Sequence, residues 1–539
     1  MAITDSNKIT MTRFNIFNMQ WVNGFSLLLI VAIIASCKKD DLGEAPRLFR
    51  PVLKGVVDAP DNSIHASWQT VKGASSYTVQ LSRDTFRTID RSLTIDSVSV
   101  LLENVKWDQR YQLQVRANSV DSAKNSRFAY LGETKTPKFP TILKTATIND
   151  VTEVSAIMRW TKSGEEVTEI RVYDKPEGTL LRTLALSAAD VQNQYRVVSG
   201  LAGSTSYYME LYSGIKLRGY ETYTTKAPFS GIVIDLREFV DRPSVLQDTL
   251  PLIPSGSLVI LKKGLTYNIS SAVSLSKTVT ITSGDDLLSQ TPANIYLTSN
   301  FNFAAGSTID SISFVNVSLT GSDFASKYVF NTTNSANVGK IKFDNCRIQY
   351  FRGVTRLQSG TTTVSNYEVN NCLVDSISGY GVITVDNATC KAEKIIIRNS
   401  TITRVVSVVT GSKNVPNSVL IENNTFYRAP QGGSYLVDCN NAATITGGVT
   451  ILNNIFSIGK SSGSSVSPRG IRVSSTTLVT TGNNYATSDY VNSGGPIPGL
   501  ILYTRPSGEV FTSPLLNDFK IKDNSFPGRS TAGDPRWRL

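Results

Sequence analysis

EKIIIRNSTITRV, residues 393–405, places the isoleucines Ile395 to Ile397 just ahead of Asn399. Branched side chains favour an extended strand and asparagine is depleted from strands, so the run predicts a strand ending in a sharp bend. The interruption recurs in SFVNVSL at Asn316, KFDNCRI at Asn345, EVNNCLV at Asn371, LIENNTF at Asn423, ILNNIF at Asn453 and TTGNNY at Asn483. Successive asparagines stand 29, 26, 28, 24, 30 and 30 residues apart. Repeats of this length, each containing a strand, predict a solenoid.

One full coil reads GVITVD (381–386), a loop to Lys394, IIIRN (395–399) and STITRVV (400–406). Coils of this kind stack as a parallel ladder at roughly 4.8 Å. Asn399 falls at the bend between the second and third strands, where a positive φ suits asparagine, and its amide can stack on those of neighbouring coils. Ordinary turn asparagines would explain one or two such residues but not a series in register.

A chain of 539 residues, 40% hydrophobic and 18% charged, is globular in composition and long enough for several domains. Helical periodicity is scarce and strand and turn signals dominate, so the fold is predicted to be all-β. At the N-terminus Arg13 precedes FSLLLIVAIIA (25–35), the length of a signal-peptide core and short for a bilayer span. The following IASC resembles a bacterial lipobox in which Cys37 is lipidated; a plain signal peptide is the alternative. KKDD (38–41) resembles a tag that sends lipoproteins of some Gram-negative saccharolytic bacteria to the outer face of the outer membrane, against a solvated linker. One acyl chain anchors weakly, so stable attachment requires several on Cys37.

Loss of residues 1–36 removes Lys8, Arg13 and Asp5 and leaves a net charge of about +10. On an exported protein the expected counter-charge is an acidic polysaccharide or anionic lipopolysaccharide, with a merely solubilising surface as the alternative. No RNA- or DNA-binding motif appears, so nucleic acid is not an expected partner. No CxxC occurs; Cys346 and Cys372 each follow a ladder asparagine and should stack as two buried thiols, a parallel arrangement poorly suited to a disulfide. His65, the single histidine, lies outside the solenoid, which excludes histidine-based catalysis there.

Two stretches between the anchor and the solenoid share one grammar. IHASWQ with Trp68, SYTVQLS and WDQRYQLQVRA with Tyr111 are matched by AIMRW with Trp160, EIRVYD and LAGSTSYYMELYS with Tyr207. Both resemble fibronectin type III domains, which implies a core role for each Trp and a corner hydrogen bond for each Tyr. TKTPKFP (134–140) and TTKAPFSG (224–231) read as linkers. The expected organisation is a lipoprotein signal peptide at 1–36, an anchor linker at 37–47, fibronectin type III-like domains at 48–137 and 138–228, and a parallel β-helix at 229–539. DFKIKDNSFPGRSTAGDPRWRL lacks the repeat and is expected to cap the last coil.

A lipobox, two fibronectin-like domains, an asparagine-laddered right-handed β-helix and a C-terminal GDPRW together resemble uncharacterised outer-membrane lipoproteins found among polysaccharide-utilisation genes, often pectin-related. The β-helix resembles that of pectate lyases, which implies a sugar lying along the outer face of the first strand of each coil. Those strands are KYVFN (327–331), VTRLQ (354–358), VITVD (382–386), VSVVT (406–410), YLVDC (435–439) and GIRVS (470–474). With Phe330, Leu357, Val385, Val409, Val437 and Val473 inward, two rows face out. One holds Val329, Arg356, Thr384, Val408, Leu436 and Arg472; the other holds Asn331, Gln358, Asp386, Thr410, Asp438 and Ser474.

The candidate glycan-binding residues are therefore Arg356, Gln358, Thr384, Asp386, Thr410, Asp438, Arg472 and Ser474, with Val408 and Leu436 as an apolar floor and Tyr350, Phe351 and Tyr380 as stacking faces or packing under loops. A calcium-dependent lyase needs several carboxylates on one ion, and Asp386 and Asp438, two coils or roughly 10 Å apart, cannot share one. Arg356 is as suited to pairing with Asp386 as to acting as a base. No catalytic residue and no cofactor are assigned; calcium enters only under the lyase reading. Residues 340–430 carry 11 Lys or Arg against 6 Asp or Glu, which favours an acidic ligand. The expected function is capture of an acidic, pectic-type polysaccharide at the cell surface. The alternatives are a surface lyase for a uronate-containing glycan and an adhesin or structural module. The outer membrane, through the anchor, and an outer-membrane glycan transporter complex complete the candidate partners.

Overall fold

Tyr111, Leu113, Val115 and Ala117 alternate with exposed or half-buried residues along Arg110–Asn118, turning one face of that strand inward. It lies at the centre of an antiparallel sheet ordered Arg91–Ile95, Ser76–Ser82, Arg110–Asn118, Ala129–Lys135. A second sheet pairs Ile64–Ser67 with Ser99–Leu102, and Trp68 is buried between the two. The Tyr111 hydroxyl accepts the Lys106 backbone N–H at 2.9 Å, the expected corner bond. This computed structural model describes residues 47–440, 442–460 and 465–539, so the leader, Cys37 and KKDD lie outside the described residues. The chain divides into two units between Thr141 and Ile142.

The second unit opens with a sandwich of the same design. Ser155–Arg159 pairs with Tyr195–Ser199, and a four-stranded sheet runs Lys216–Thr224, Ser206–Ser213, Glu169–Tyr173, Leu180–Ala185. Trp160 is buried, and the Tyr207 hydroxyl accepts the Ala202 N–H at 2.9 Å. Both sandwiches are fibronectin type III-like. The second joins the β-helix through Arg237, which bridges Glu153 at 2.5 Å and Asp235 at 2.7 Å, with Lys226–Asp285 beside it at 3.0 Å.

The rest of the unit is a parallel β-helix. One ten-stranded face runs from Ile232–Asp235 to Val479–Gly482, and a face of short strands runs from Thr266–Ile269 to Ile501–Leu502. The remaining face carries Tyr328–Thr332, the later parts of Arg347–Leu357 and Leu373–Val385, then Val409–Thr410, Tyr435–Asp438 and Arg469–Arg472. Like residues stack inside: Phe314 and Phe343 lie 5.5 Å apart and nearly parallel, Phe426 and Phe456 at 4.8 Å. The helix Val245–Thr249 closes the N-terminal end with Val245 and Leu246 in the core. Tyr490 and Ile497 enter the core near the other end, where Gly470 and Ile471 donate to Gly494 and Gly495.

All seven bend asparagines adopt the left-handed conformation, φ between 51° and 57°. Asn345 donates to Asn316, Asn371 to Asn345 and Asn483 to Asn453, at 2.8–3.3 Å, whereas Asn399 donates to Asn370. A second ladder runs inside, one residue later. Cys346 N–H meets Cys372 Sγ, Cys372 N–H meets Ser400 Oγ, Ser400 N–H meets Asn424 Oδ1, Asn424 N–H meets Asn454 Oδ1, and Asn454 N–H meets Asn484 Oδ1. Each inward side chain thus satisfies a buried amide of the coil before it. Cys346, Cys372, Cys390 and Cys439 are free and buried, and burial pushes the Cys372 thiol well up.

The C-terminal tail does more than cap the last coil. Ile501–Leu502 adds a final rung to the short-strand face, and the chain then runs back over the outside of earlier rungs. Tyr427, Ile455 and Tyr485 turn apolar surface out of that face, and Val510, Phe511, Phe519 and Phe526 cover it. Gly533 N–H reaches Asn453 O, Arg538 reaches Asn423 Oδ1 at 2.8 Å, Trp537 Nε1–H reaches Thr401 Oγ1 at 2.7 Å, and Arg536 reaches Asn371 Oδ1 at 2.7 Å.

Candidate functional site

Register along the first-strand face places Asn331, Arg356, Thr384, Thr410, Asp438 and Arg472 in one row. Thr410 and Asp438 therefore belong with Arg356, and Gln358, Asp386 and Ser474 lie two residues further along their strands. Val329, Val408 and Leu436 do not face out: all three are fully buried in the core. At the corner leading into each strand two successive residues, such as Val408 and Val409, both turn inward, so period-two alternation fails there and the expected apolar floor does not form.

The row is punctuated by two clusters built alike. In the first, the Arg356 guanidinium lies 4.3 Å from the Tyr380 ring centroid and 5.9 Å from that of Tyr328, and Arg352 lies 4.8 Å from the Tyr380 ring. Arg356 donates from Nε to Asp386 Oδ2 at 2.9 Å and also pairs with it through Nη2. Gly353 makes the packing possible, because a Cβ there would stand 2.6 Å from Tyr380 Cβ and 3.2 Å from the Tyr328 ring. Thr384 is nearly buried and donates to the Tyr380 carbonyl at 2.6 Å, which fixes the tyrosine. In the second cluster Arg472 and Arg469 lie 4.5 and 5.3 Å from the Tyr435 ring centroid. Arg472 grips Asp438 with both arms, at 2.9 and 2.7 Å, and borders a groove of about 450 Å³ that also includes Val473, Ser474, Thr477 and Pro496.

Burial disfavours the Arg356 charge, yet Asp386 and the tyrosines raise its pKa on balance; hydrogen bonding to Asp438 raises that of Arg472. Burial raises the Tyr328 phenol, whose hydroxyl, like Asn331 Oδ1, is buried without a hydrogen-bond partner. Ser474 bonds with Thr476 at 2.9 Å, Thr410 is half-buried between the clusters, and Gln358 lies beyond them. Phe351 is core, Tyr350 is exposed, and Tyr380 stacks on arginine. Arg352, Tyr328, Tyr435 and Arg469 escaped the sequence reading, although Arg352 and Arg356 share a parity within one strand. Among the described residues no group of three His, Cys, Asp or Glu side chains is placed to hold a metal ion.

Residues 265–405 match DUF4957, a domain of unknown function, and residues 419–537 match DUF5123, a second domain of unknown function. No curated protein matches the chain. Among solved structures, the FN1–FN3 domains of chicken CNTN1 are 14% identical over 34% of this chain and 69% of that one, with a TM-score of 0.16. A two-domain fibronectin type III segment of chicken tenascin is 18% identical over 33% and 99%, and the fn3 domain of human collagen alpha-1(XX) chain 20% identical over 18% and 94%, each with a TM-score of 0.16.

Proposed function

We propose that the protein is a cell-surface lipoprotein that captures an acidic, pectic-type polysaccharide on the first-strand face of its β-helix, with the fibronectin-like domains as a spacer. The supporting observation is the pair of arginine–tyrosine clusters on one outward row, which offers cations for carboxylates and aromatic edges for sugar rings. Surface attachment through Cys37 and a place beside a glycan transporter belong to the same reading, resting on IASC and KKDD.

Binding without cleavage fits this face better than lyase chemistry. Asp386 and Asp438 do not converge, so no shared calcium site is provided by this row, and Arg356 and Arg472, each held by one of these acids, are not free bases. Titration calorimetry with homogalacturonan should show saturable binding that weakens with salt. Incubation with the same polymer and calcium should leave the ultraviolet absorbance of unsaturated products flat. A steady rise in that absorbance, abolished by Arg356→Ala, would replace capture with cleavage.

A further inference from the structure

Arg356 and Arg472 are the obvious ligands for a uronate, yet their guanidinium forks are already occupied. Arg356 gives Nε and Nη2 to Asp386, and Arg472 gives Nε and Nη2 to Asp438. A ligand carboxylate would have to displace a bound one at each. Arg352 and Arg469 differ. Each stacks on the same tyrosine as its neighbour, each is half-exposed, and neither has a carboxylate partner among the described residues. Arg469 makes only a 3.3 Å bond to the Tyr435 hydroxyl.

We infer that Arg352 and Arg469 are the residues that contact the anionic groups of the ligand, and that the Asp386–Arg356 and Asp438–Arg472 pairs are positioning pairs that hold the tyrosine faces in place. The inference rests on the proposed capture of an acidic glycan and deepens it. Two observations support the first cluster as a built site: the Tyr328 hydroxyl, on a side chain about 98% buried, lacks a hydrogen-bond partner, and so does Asn331 Oδ1, level with Arg356.

The spacing selects the ligand. Register runs from Gly353 through Gly381 and on, by way of Ile383, Val409 and Val437, to the level of Tyr435 and Arg469. Arg352 leans onto the ring of the next coil and Arg469 onto that of the coil before, so their charges stand three to four rungs apart, roughly 14–19 Å. A single uronate reaches one cluster; an extended polyuronate reaches both. The recognised chemistry is a linear chain carrying repeated carboxylates.

Calorimetric titration of the full chain with a galacturonate dimer and a long galacturonate oligomer tests this. Wild type should bind two dimers or one long oligomer. Arg352→Gln and Arg469→Gln should each leave one dimer site and weaken the long oligomer about tenfold or more, with melting unchanged. Asp386→Asn should weaken the dimer at the first cluster, because it loosens the pair that holds the Tyr380 face; tighter binding would show Arg356, freed of its acid, taking the carboxylate itself, and would overturn the assignment. A carboxyl-reduced oligomer should not bind. If Arg356→Gln and Arg472→Gln abolish binding while Arg352→Gln and Arg469→Gln leave it intact, this assignment fails and acidic-glycan capture survives. Tighter binding of a sulfated polymer than of the polyuronate would overturn the carboxylate specificity. If no anionic glycan binds, the capture reading falls with it.

Discussion

Asn424, Asn454 and Asn484 are fully buried amides in a β-helix core, and each is tied on several sides. Asn454 accepts from the Asn424 backbone and side chain, and donates to Ile421 O, Leu452 O and Asn484 Oδ1. Asn454→Ala strands the Asn424 N–H, and with one or two further groups unsatisfied the cost should be about 2–4 kcal/mol. Asn454→Ser should cost less than half as much, because serine already fills the equivalent place at Ser400. Urea denaturation of the two variants measures the difference; equal losses would mean that the inner ladder contributes packing and not hydrogen bonds. The outer ladder was legible because asparagine advertises a positive φ. Five residues further on, a second left-handed row, Tyr350, Ser376, Arg404, Arg428 and Ile458, was not, because no shared side chain marks it and the stacked coils alone impose the bend.

Strands were legible as faces, except at the corner where Val329, Val408 and Leu436 turn inward, but not as rows. A slip of two residues keeps every side chain on its side of the sheet, so Thr410 and Asp438 were given the right face and the wrong neighbours. The arginine–tyrosine clusters depend on those neighbours, and they escaped for that reason. The junction between the second sandwich and the β-helix is an element-level feature of the same kind, since Glu153 and Arg237 are 84 residues apart. Glu153 is buried and its compensating charge is Arg237, which the Asp235 hydrogen bond, above all, keeps strongly basic. Arg237→Ala leaves that carboxylate uncompensated, and a loss of about 3 kcal/mol is expected. Scanning calorimetry should show the sandwich and the helix melting together in the wild type and apart in the variant. A single unshifted transition in Arg237→Ala would show that the junction does not depend on this pair.

For the whole molecule, the functional reading depends on where the chain is held. In the proposed reading, IASC followed by KKDD puts the anchor at Cys37 and the destination at the outer face of the outer membrane. Protease added to intact cells should remove the wild-type protein, and Cys37→Ala should release it from the membrane fraction. Persistence of the wild type in shaved cells, with digestion only after lysis, would rule out display. The charge balance belongs to this scale as well: residues 37–539 carry a surplus of about ten positive charges, which in the proposed reading draws acidic polymers at low salt and whose long-range part fades above physiological ionic strength. Binding that survives high salt would then report contacts inside the clusters.

The returning tail makes the β-helix count its own repeats. Its anchors fall on Asn483, Asn453, Asn423, Thr401 and Asn371, so the tail touches successive storeys one by one, like a gauge laid against a stack. A coil inserted or deleted between Asn371 and Asn483 would move some anchors by about 4.8 Å relative to the rest, and the tail would no longer fit. Among the described residues no hydrogen bond of the tail falls on a coil before that of Asn371. Duplication of a repeat is therefore geometrically free on the N-terminal side and closed on the other, and the copy number of the gauged coils is set by the length of the segment that follows them.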